Sequence, residues 1–246
     1  MKFLKNHGTI IGVTTFVLLL VLQIILGKSG HYVASFIAYD QVDPFNSFAE
    51  ISIHHAFELV AALLIILILR KLLNLDFYFQ LGDKKTGMKS LGIFTLVFLM
   101  ISIAQHTYMV IRGQLPAYEF PLDARNILGT LGFQLFLSGP AEEIVFRALP
   151  IVLLTFSFGR SIKIKGNLTL EVMLASILFA FAHVDWSLSP FAFRFSLFPI
   201  IYAFVLGTIQ GAVYQRTKSI LYPILMHSFS NVLMVGGGYV FTALFS

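Results

Sequence analysis

Apolar segments of about twenty residues alternate with short polar stretches along almost the whole chain. A helix needs roughly 20 apolar residues to cross about 30 Å of hydrocarbon. Six segments have this character: 9–26, 51–69, 90–111, 168–186, 194–213 and 221–244. A seventh apolar stretch, 126–158, is longer and contains Gly139-Pro140 and Pro150. There we expect either one long kinked helix or a shorter helix that leads into a second.

The charges between these segments predict how the chain is threaded through a bilayer. Basic residues mark the N-terminus and three loops, whereas loop 28–50 carries three carboxylates against one Lys. Cytoplasmic loops of membrane proteins carry an excess of Lys and Arg. The alternation predicts a cytoplasmic N-terminus and seven spans if 126–158 crosses once. Two crossings in that stretch would give eight spans and break the alternation.

Composition supports this interpretation. The chain has 246 residues, of which 57% are hydrophobic and only 12% charged, and its mean hydropathy is +0.85. Soluble domains carry about twice that share of charge. Cys is absent, which excludes disulfides, thiolate zinc sites and a cysteine nucleophile. The net charge of +5 lies in short loops and does not indicate nucleic-acid binding. We expect an all-α, multi-pass helix bundle that forms one membrane domain, 1–246.

Three charged residues interrupt the apolar stretch 126–158, in the sequence GPAEEIVFRALP. On a helix, Glu143 and Arg147 are four residues apart and share a face, so they can form an ion pair. Glu142 is turned by about 100° from Glu143, and its neighbour four residues on is Phe146. Glu142 is therefore left without a local partner. An intramembrane carboxyl of this kind indicates a functional site.

Polar residues also occur in two later apolar segments. His183 lies four residues after Phe179, and Asn231 lies four residues after His227, so each pair shares a helix face. Taken singly, a buried His or Asn commonly links helices through hydrogen bonds. Together with Glu142 they form a set, because polar groups in hydrocarbon need one another as partners. We expect them to converge in one polar intramembrane cavity.

Such a cavity can hydrolyse an amide bond without a covalent intermediate. A carboxylate can activate water, an imidazole can orient it, and N–H groups can stabilise an oxyanion. Zinc is an open alternative, since Glu142, His183 and His227 could bind it and leave a position for water. No HExxH motif is present, and Glu143 would then be the nearest base. We favour the metal-free alternative.

The three motifs resemble those of the CPBP intramembrane proteases, the CAAX-protease and bacteriocin-processing family, also called Abi. Its patterns EExxxR, FxxxH and HxxxN stand here, in order, as EEIVFR at 142–147, FAFAH at 179–183 and HSFSN at 227–231. The resemblance covers about 125–240, the expected protease core. The other half of the chain matches only as generic membrane helices.

The resemblance implies roles for these residues and a class of substrate. Glu142 is implied as the general base, with His183 holding the water and with His227 and Asn231 facing the oxyanion. The supporting residues would be Glu143, Arg147 and Phe179. The substrate would be a membrane-associated peptide or protein precursor, and composition suggests a Gram-positive member that processes a pheromone or bacteriocin. A non-catalytic scaffold or an immunity or regulatory protein of the same fold is the alternative, and the oligomeric state is left open.

Two further features bear on the site. His54 and Glu58 share a helix face, with His55 beside them, and the three could form a second metal or proton site. We expect them instead near the outer end of the second span, among lipid headgroups. Counting from the basic loops also places His227 and His183 at depths that differ by about 10 Å. Helix tilt or a wrong span boundary would remove that difference.

Overall fold

The chain folds into a helical bundle. The computed structural model describes the backbone of residues 2–188 and 191–245, and the side chains of 8–184 and 194–245. Within these ranges there are seven helices: α1 Lys2–Ala34, α2 Ala49–Leu73, α3 Lys84–Ile111, α4 124–157, α5 Leu170–Phe181, α6 Leu197–Thr217 and α7 Leu221–Phe245. By length and composition, four helices of the described part can cross a membrane: Gly8–Ala34, Lys84–Ile111, Leu197–Thr217 and Leu221–Phe245.

The long apolar stretch forms one uninterrupted helix rather than two. Helix α4 has α-helical ends and a short α-helical centre, Gly139–Glu143, flanked by the π-helical segments Gln134–Ser138 and Ile144–Ala148. Pro140 and Pro150 each stand in the first turn of the α segment that follows a π segment. Proline has no backbone N–H, so each of the two removes a hydrogen bond to the preceding turn. The wide turns accommodate both prolines without ending the helix.

The predicted span 168–186 is wrong in its length. Helix α5 ends at Phe181 and has 12 residues, about 18 Å at 1.5 Å per residue. That is too short to cross the roughly 30 Å hydrocarbon core alone. Two short antiparallel pairs of strands flank α5. Before it β1 Lys163–Lys165 pairs with β2 Leu168–Thr169, and after it β3 Asp185–Leu188 pairs with β4 Phe191–Arg194. The segment 168–186 therefore contains a short helix followed by a turn and a strand.

The basic loops lie together at one end of the bundle. Ile220 N donates to Tyr78 O over 3.0 Å, and Asp83 N donates to Thr217 O over 2.8 Å. These bonds join the loops that follow α2 and α6. Residues from all three internal basic loops line one cavity of about 620 Å³, among them Asp76, Tyr78, Arg160, Lys163, Arg216 and Lys218. The grouping agrees with the threading predicted from the charges, while the orientation in the membrane stays a prediction.

At the opposite end, the loop before α2 is fixed by one carboxylate. The Asp43 side chain accepts hydrogen bonds from the backbone N–H groups of Ser47, Phe48 and Ala49, at 2.9, 2.7 and 2.7 Å. Burial raises the pKa of this carboxyl, but the three backbone donors outweigh it, so its pKa lies below the ordinary value. Ser47 Oγ also donates to Asn126 Oδ1 in α4, over 3.2 Å. The loop thereby ties α2 to α4 at this end.

Helix α4 lies at the centre of the largest apolar core. Its residues between Ile144 and Val152 pack against side chains of α2, α5 and α6, including Ile66, Val172 and Ala203. Because Gly139 has no side chain, α7 can approach α4 closely. A Cβ added to Gly139 would lie 2.3 Å from Ser228 Oγ and 2.9 Å from the backbone oxygen of Ile224. A close approach of this kind depends on glycine, because the backbone oxygen cannot move aside.

We therefore expect Gly139→Ala to lower the melting temperature of the purified protein in detergent. The added methyl group would push α7 away from α4 at the height of the polar residues. Gly132→Ala in the same helix is the matched control, because no heavy atom lies within 4 Å of its added Cβ. Alanine should hold or raise stability there, by up to about 1 kcal/mol from helix propensity. Equal melting temperatures for the two variants would contradict this account of the α4–α7 contact.

Candidate functional site

Glu142 has partners that its own sequence neighbourhood does not reveal. Its Oε1 accepts a hydrogen bond from Ser138 Oγ over 3.0 Å and lies 3.3 Å from His55 Nε2. Its Oε2 lies 3.8 Å from His227 Nε2. The carboxyl group is thus surrounded by its own helix, by α2 and by α7. About 18% of its side chain stays exposed, which leaves room for a small molecule such as water.

His55 and Glu142 have to share a proton. The Nδ1 atom of His55 lies 3.0 Å from the carbonyl oxygen of Ile51. A carbonyl can only accept, so Nδ1 carries a hydrogen. A hydrogen bond between Nε2 and Glu142 Oε1 then requires one more proton, on the imidazole or on the carboxyl. The pair can therefore hold either an imidazolium with a carboxylate or a neutral imidazole with a carboxylic acid.

His227 is oriented by Glu143. Its Nδ1 donates to Glu143 Oε1 over 2.8 Å, and this bond directs Nε2 toward Glu142. The other oxygen of Glu143 lies 3.2 Å from Arg147 Nε. The side chains of Glu143 and Arg147 have no solvent exposure. A carboxylate that is already paired with a guanidinium serves as a fixed acceptor, so it holds the imidazole in one tautomer.

Arg147 is compensated on several sides. Besides Glu143, its Nη2 donates to Gln210 Oε1 of α6 over 2.7 Å. Its Cζ lies 3.9 Å from the centroid of the Phe179 ring, a cation–π contact. The Phe179 ring in turn meets the rings of His183 and His227 edge-on, at centroid distances of 4.8 and 6.3 Å. The supporting residues form one buried cluster beneath the two imidazoles.

His183 does not lie on the helix face that its spacing predicted. Helix α5 ends at Phe181, and His183 belongs to the turn that follows. Its backbone N–H donates to Ala180 O over 3.1 Å, and its Nδ1 donates to Phe179 O over 2.9 Å. The last turn of the helix therefore supplies the acceptor that fixes the ring. Nε2 is left as the ring nitrogen with a lone pair for another group.

Asn231 reaches Glu142 through an intermediate hydroxyl. Its Nδ2 donates to Gln134 Oε1 over 2.8 Å and to Ser138 Oγ over 3.0 Å. Because a carboxamide has two N–H hydrogens, both are engaged. Ser138 Oγ in turn donates its own hydrogen bond to Glu142 Oε1. The amide thus positions the hydroxyl, which positions the carboxyl group.

A cavity of about 460 Å³ connects part of this set. Glu142, His183, Phe179 and Phe146 line it, together with three ionisable residues of α2 and both apolar and polar residues of α1. His227 contacts Glu142 from behind this wall, and Asn231 contacts Ser138. The structure therefore places His183, His227 and Asn231 in the surroundings of Glu142. Their chemical roles stay predictions.

His54, His55 and Glu58 lie near the start of α2, as expected, but they face other helices rather than the surface of the bundle. They are buried in the bundle, with exposed fractions of 7%, 8% and 5%, and they line the Glu142 cavity. Three ionisable groups within five residues of an apolar span are the signal that could have placed them inside. Ser138 and Gln134 were also missed, because small or neutral polar residues are common on membrane helices.

The donor geometry can be tested against a metal ion. Among the residues that the structure describes, one group of three His, Asp or Glu has donor atoms all within 4.8 Å of one another: His54, His55 and Glu58. The set Glu142, His183 and His227 does not form such a group in the described part of the chain.

The comparisons with known proteins agree with the motif order. Residues 124–233 match the family model described as type II CAAX prenyl endopeptidase, Rce1-like. The match covers 110 of 246 residues and includes every motif residue from Glu142 to Asn231. Neither the curated proteins nor the solved structures contain a match to this chain. The domain at 124–233 is therefore similar to the CAAX-type proteases that this family model describes.

Proposed function

We propose that the chain is an intramembrane endopeptidase that hydrolyses a peptide bond of a membrane-associated precursor, with water activated by Glu142. One observation carries the proposal: Glu142 lies on the wall of a cavity that His183 also lines, and imidazoles of two other helices approach its two oxygens. The family supplies the general activity, proteolysis. The contacts around Glu142 support the role proposed for each residue.

In the first step, a water molecule in the cavity donates one hydrogen to Glu142 and the other to the free Nε2 of His183. Glu142 takes the proton while the water oxygen forms a bond to the substrate carbonyl carbon. The step is written for the metal-free alternative that the sequence analysis favours. Glu142 then returns the proton to the leaving amine, so water and amide are converted to acid and amine.

The tetrahedral oxygen that forms in the first step needs donors. With Nδ1 bound to Glu143, a protonated His227 presents Nε2–H on the Glu142 side. Asn231 has both N–H hydrogens engaged by Gln134 and Ser138. For Asn231 to face the oxyanion, as the resemblance implies, one of these bonds has to open when the substrate binds.

His55 acts as a positioning residue in this proposal. It shares a proton with Glu142 and is itself fixed by the Ile51 carbonyl. Its contact orients the carboxyl group and supplies a place for a proton during turnover. A metal-free carboxylate base needs such a partner more than a metal-bound one, because no cation holds it in place.

The substrate class follows from the setting of the cavity. Its walls lie between helices of a membrane bundle, and α1 contributes the apolar residues Leu20 and Ile24. A hydrolytic site of this kind suits a peptide that is lipid-modified or embedded in the membrane. The prenylated CAAX proteins named by the family model are one such class, and a pheromone or bacteriocin precursor of a Gram-positive cell membrane is another.

We expect Glu142→Gln and His183→Ala each to lower cleavage at least about 100-fold, since general acid–base catalysis contributes about 10²–10⁴-fold. The assay uses purified protein in liposomes with a quenched-fluorescent farnesylated CAAX peptide, and mass spectrometry of membrane peptides from cells with and without the protein. Glu119→Gln is the matched control, because Glu119 is an exposed carboxylate in the loop before α4.

The same experiment separates a protease from a scaffold of this fold. If the membrane peptides change with the protein present, and Glu142→Gln leaves that change intact, the proposed chemistry is wrong. A cellular phenotype that survives alanine at all four motif positions would establish the scaffold function instead. Expression of each variant is checked by gel filtration, so that loss of cleavage is not loss of fold.

The buried ion pair predicts a stability pattern. Arg147→Met should lower stability by about 3–5 kcal/mol, because it leaves the Glu143 carboxylate buried without its guanidinium. The double variant Glu143→Gln/Arg147→Met should recover most of the melting temperature, since neither charge is then left alone. Arg125→Met, an exposed arginine at the start of α4, is the control and should change little. A double variant as unstable as Arg147→Met would show that the pair is not the cause.

A further inference from the structure

Helix α2 carries a compact group of side chains that can bind a metal ion, and none of them belongs to the three sequence motifs. His54, His55 and Glu58 offer donor atoms that all lie within 4.8 Å of one another. Spacings of three and four residues place the two His beside Glu58 on the helix surface. His54 Nε2 and Glu58 Oε2 are 3.4 Å apart. Two tetrahedral zinc ligands at about 2.1 Å from the ion are also about 3.4 Å apart.

The buried state of His54 is not explained by the protein contacts alone. About 91% of its side chain is buried, and its Nδ1 has no hydrogen-bond partner among the described residues. Helix α1 covers it with glycine: a Cβ at Gly30 would lie 2.9 Å from His54 Nδ1, and one at Gly27 would lie 3.7 Å from Glu58 Oε1. Nε2 is the ring nitrogen that faces Glu58, so a metal ion between the two side chains would bind His54 through Nε2.

We propose that His54, His55 and Glu58 bind a divalent transition-metal ion of the zinc type. Two imidazoles and one carboxylate are an established zinc ligand set, with a fourth position left for water. His55 would bind through Nε2, since its Nδ1 is held by the Ile51 carbonyl, and such a bond commonly orients metal-binding imidazoles. Glu142, 3.3 Å from that Nε2, lies next to the fourth position.

The surrounding charges set the conditions for binding. Glu58 and Glu142 attract a cation, while Lys28, which lines the same cavity, opposes it. The His31 ring is also close, with its centroid 4.0 Å from that of His54.

The site has a consequence that rests on the proposed function. His55 Nε2 can bind either the metal or Glu142, so metal binding removes one partner of the base. Saturating zinc should therefore lower the rate of peptide cleavage by the wild type. The metal site itself does not depend on this consequence, because binding is measured without substrate.

The test is calorimetric titration of zinc into chelator-treated protein in detergent, with the metal content of the dialysed product as a second readout. We expect one ion per chain and at least a tenfold weaker affinity in His54→Ala and in Glu58→Gln. His106→Ala is the matched control, a buried imidazole in α3 that should leave binding unchanged. Unaltered melting temperatures without zinc show that the variants fold. If His54→Ala does not fold, the near-isosteric Glu58→Gln still tests the site.

Three results would overturn the site. These are no zinc bound to the wild type, affinity unchanged in both α2 variants, or affinity lost in His183→Ala and His227→Ala but kept in Glu58→Gln. The last result would place the ion at Glu142. A failed peptidase assay with intact zinc binding would reject only the proposed function, so the two outcomes are distinguishable.

Discussion

The arrangement of the site depends on the compensation of one buried guanidinium. Arg147 has no access to solvent, so its charge has to be balanced by neighbours. Glu143 supplies the charge, and its second oxygen fixes His227, which approaches Glu142. Phe179 covers the guanidinium, and the carbonyl of Phe179 fixes His183. The compensation of Arg147 therefore orients His227 through Glu143, whereas His183 is held by the last turn of its own helix. Glu143 is engaged in the buried pair, and the adjacent Glu142 lines the cavity.

The helices and the motif residues could be predicted because lipid imposes a simple rule. Apolar runs of a fixed length must be helices, and charges within them must have partners. The rule gave a wrong helix length for 168–186, because α5 is too short to cross the membrane alone. Helix α5 ends at Phe181, so His183 lies in a turn rather than on a helix face. The apparent depth difference between His183 and His227 came from that assumption, since both rings contact Phe179.

The contact between α2 and α4 could not be predicted from the sequence. His55 and Glu142 are 87 positions apart, and no periodicity relates two separate helices. The same holds for Asn231 and Ser138, 93 positions apart. The local pattern of α2 even favoured a surface location, because polar residues near a span end are usually at the interface. What could be inferred was the need for partners; their identity required the packing of α1, α2 and α7 around α4.

The two π-helical segments of α4 bound the five residues that carry both carboxylates. A π turn holds one residue more than an α turn, and such turns occur often at functional sites. Each extra residue turns the part of the helix that follows by about 100° relative to a continuous α-helix. The two π segments therefore set the direction in which Glu142 and Glu143 face relative to the two ends of α4.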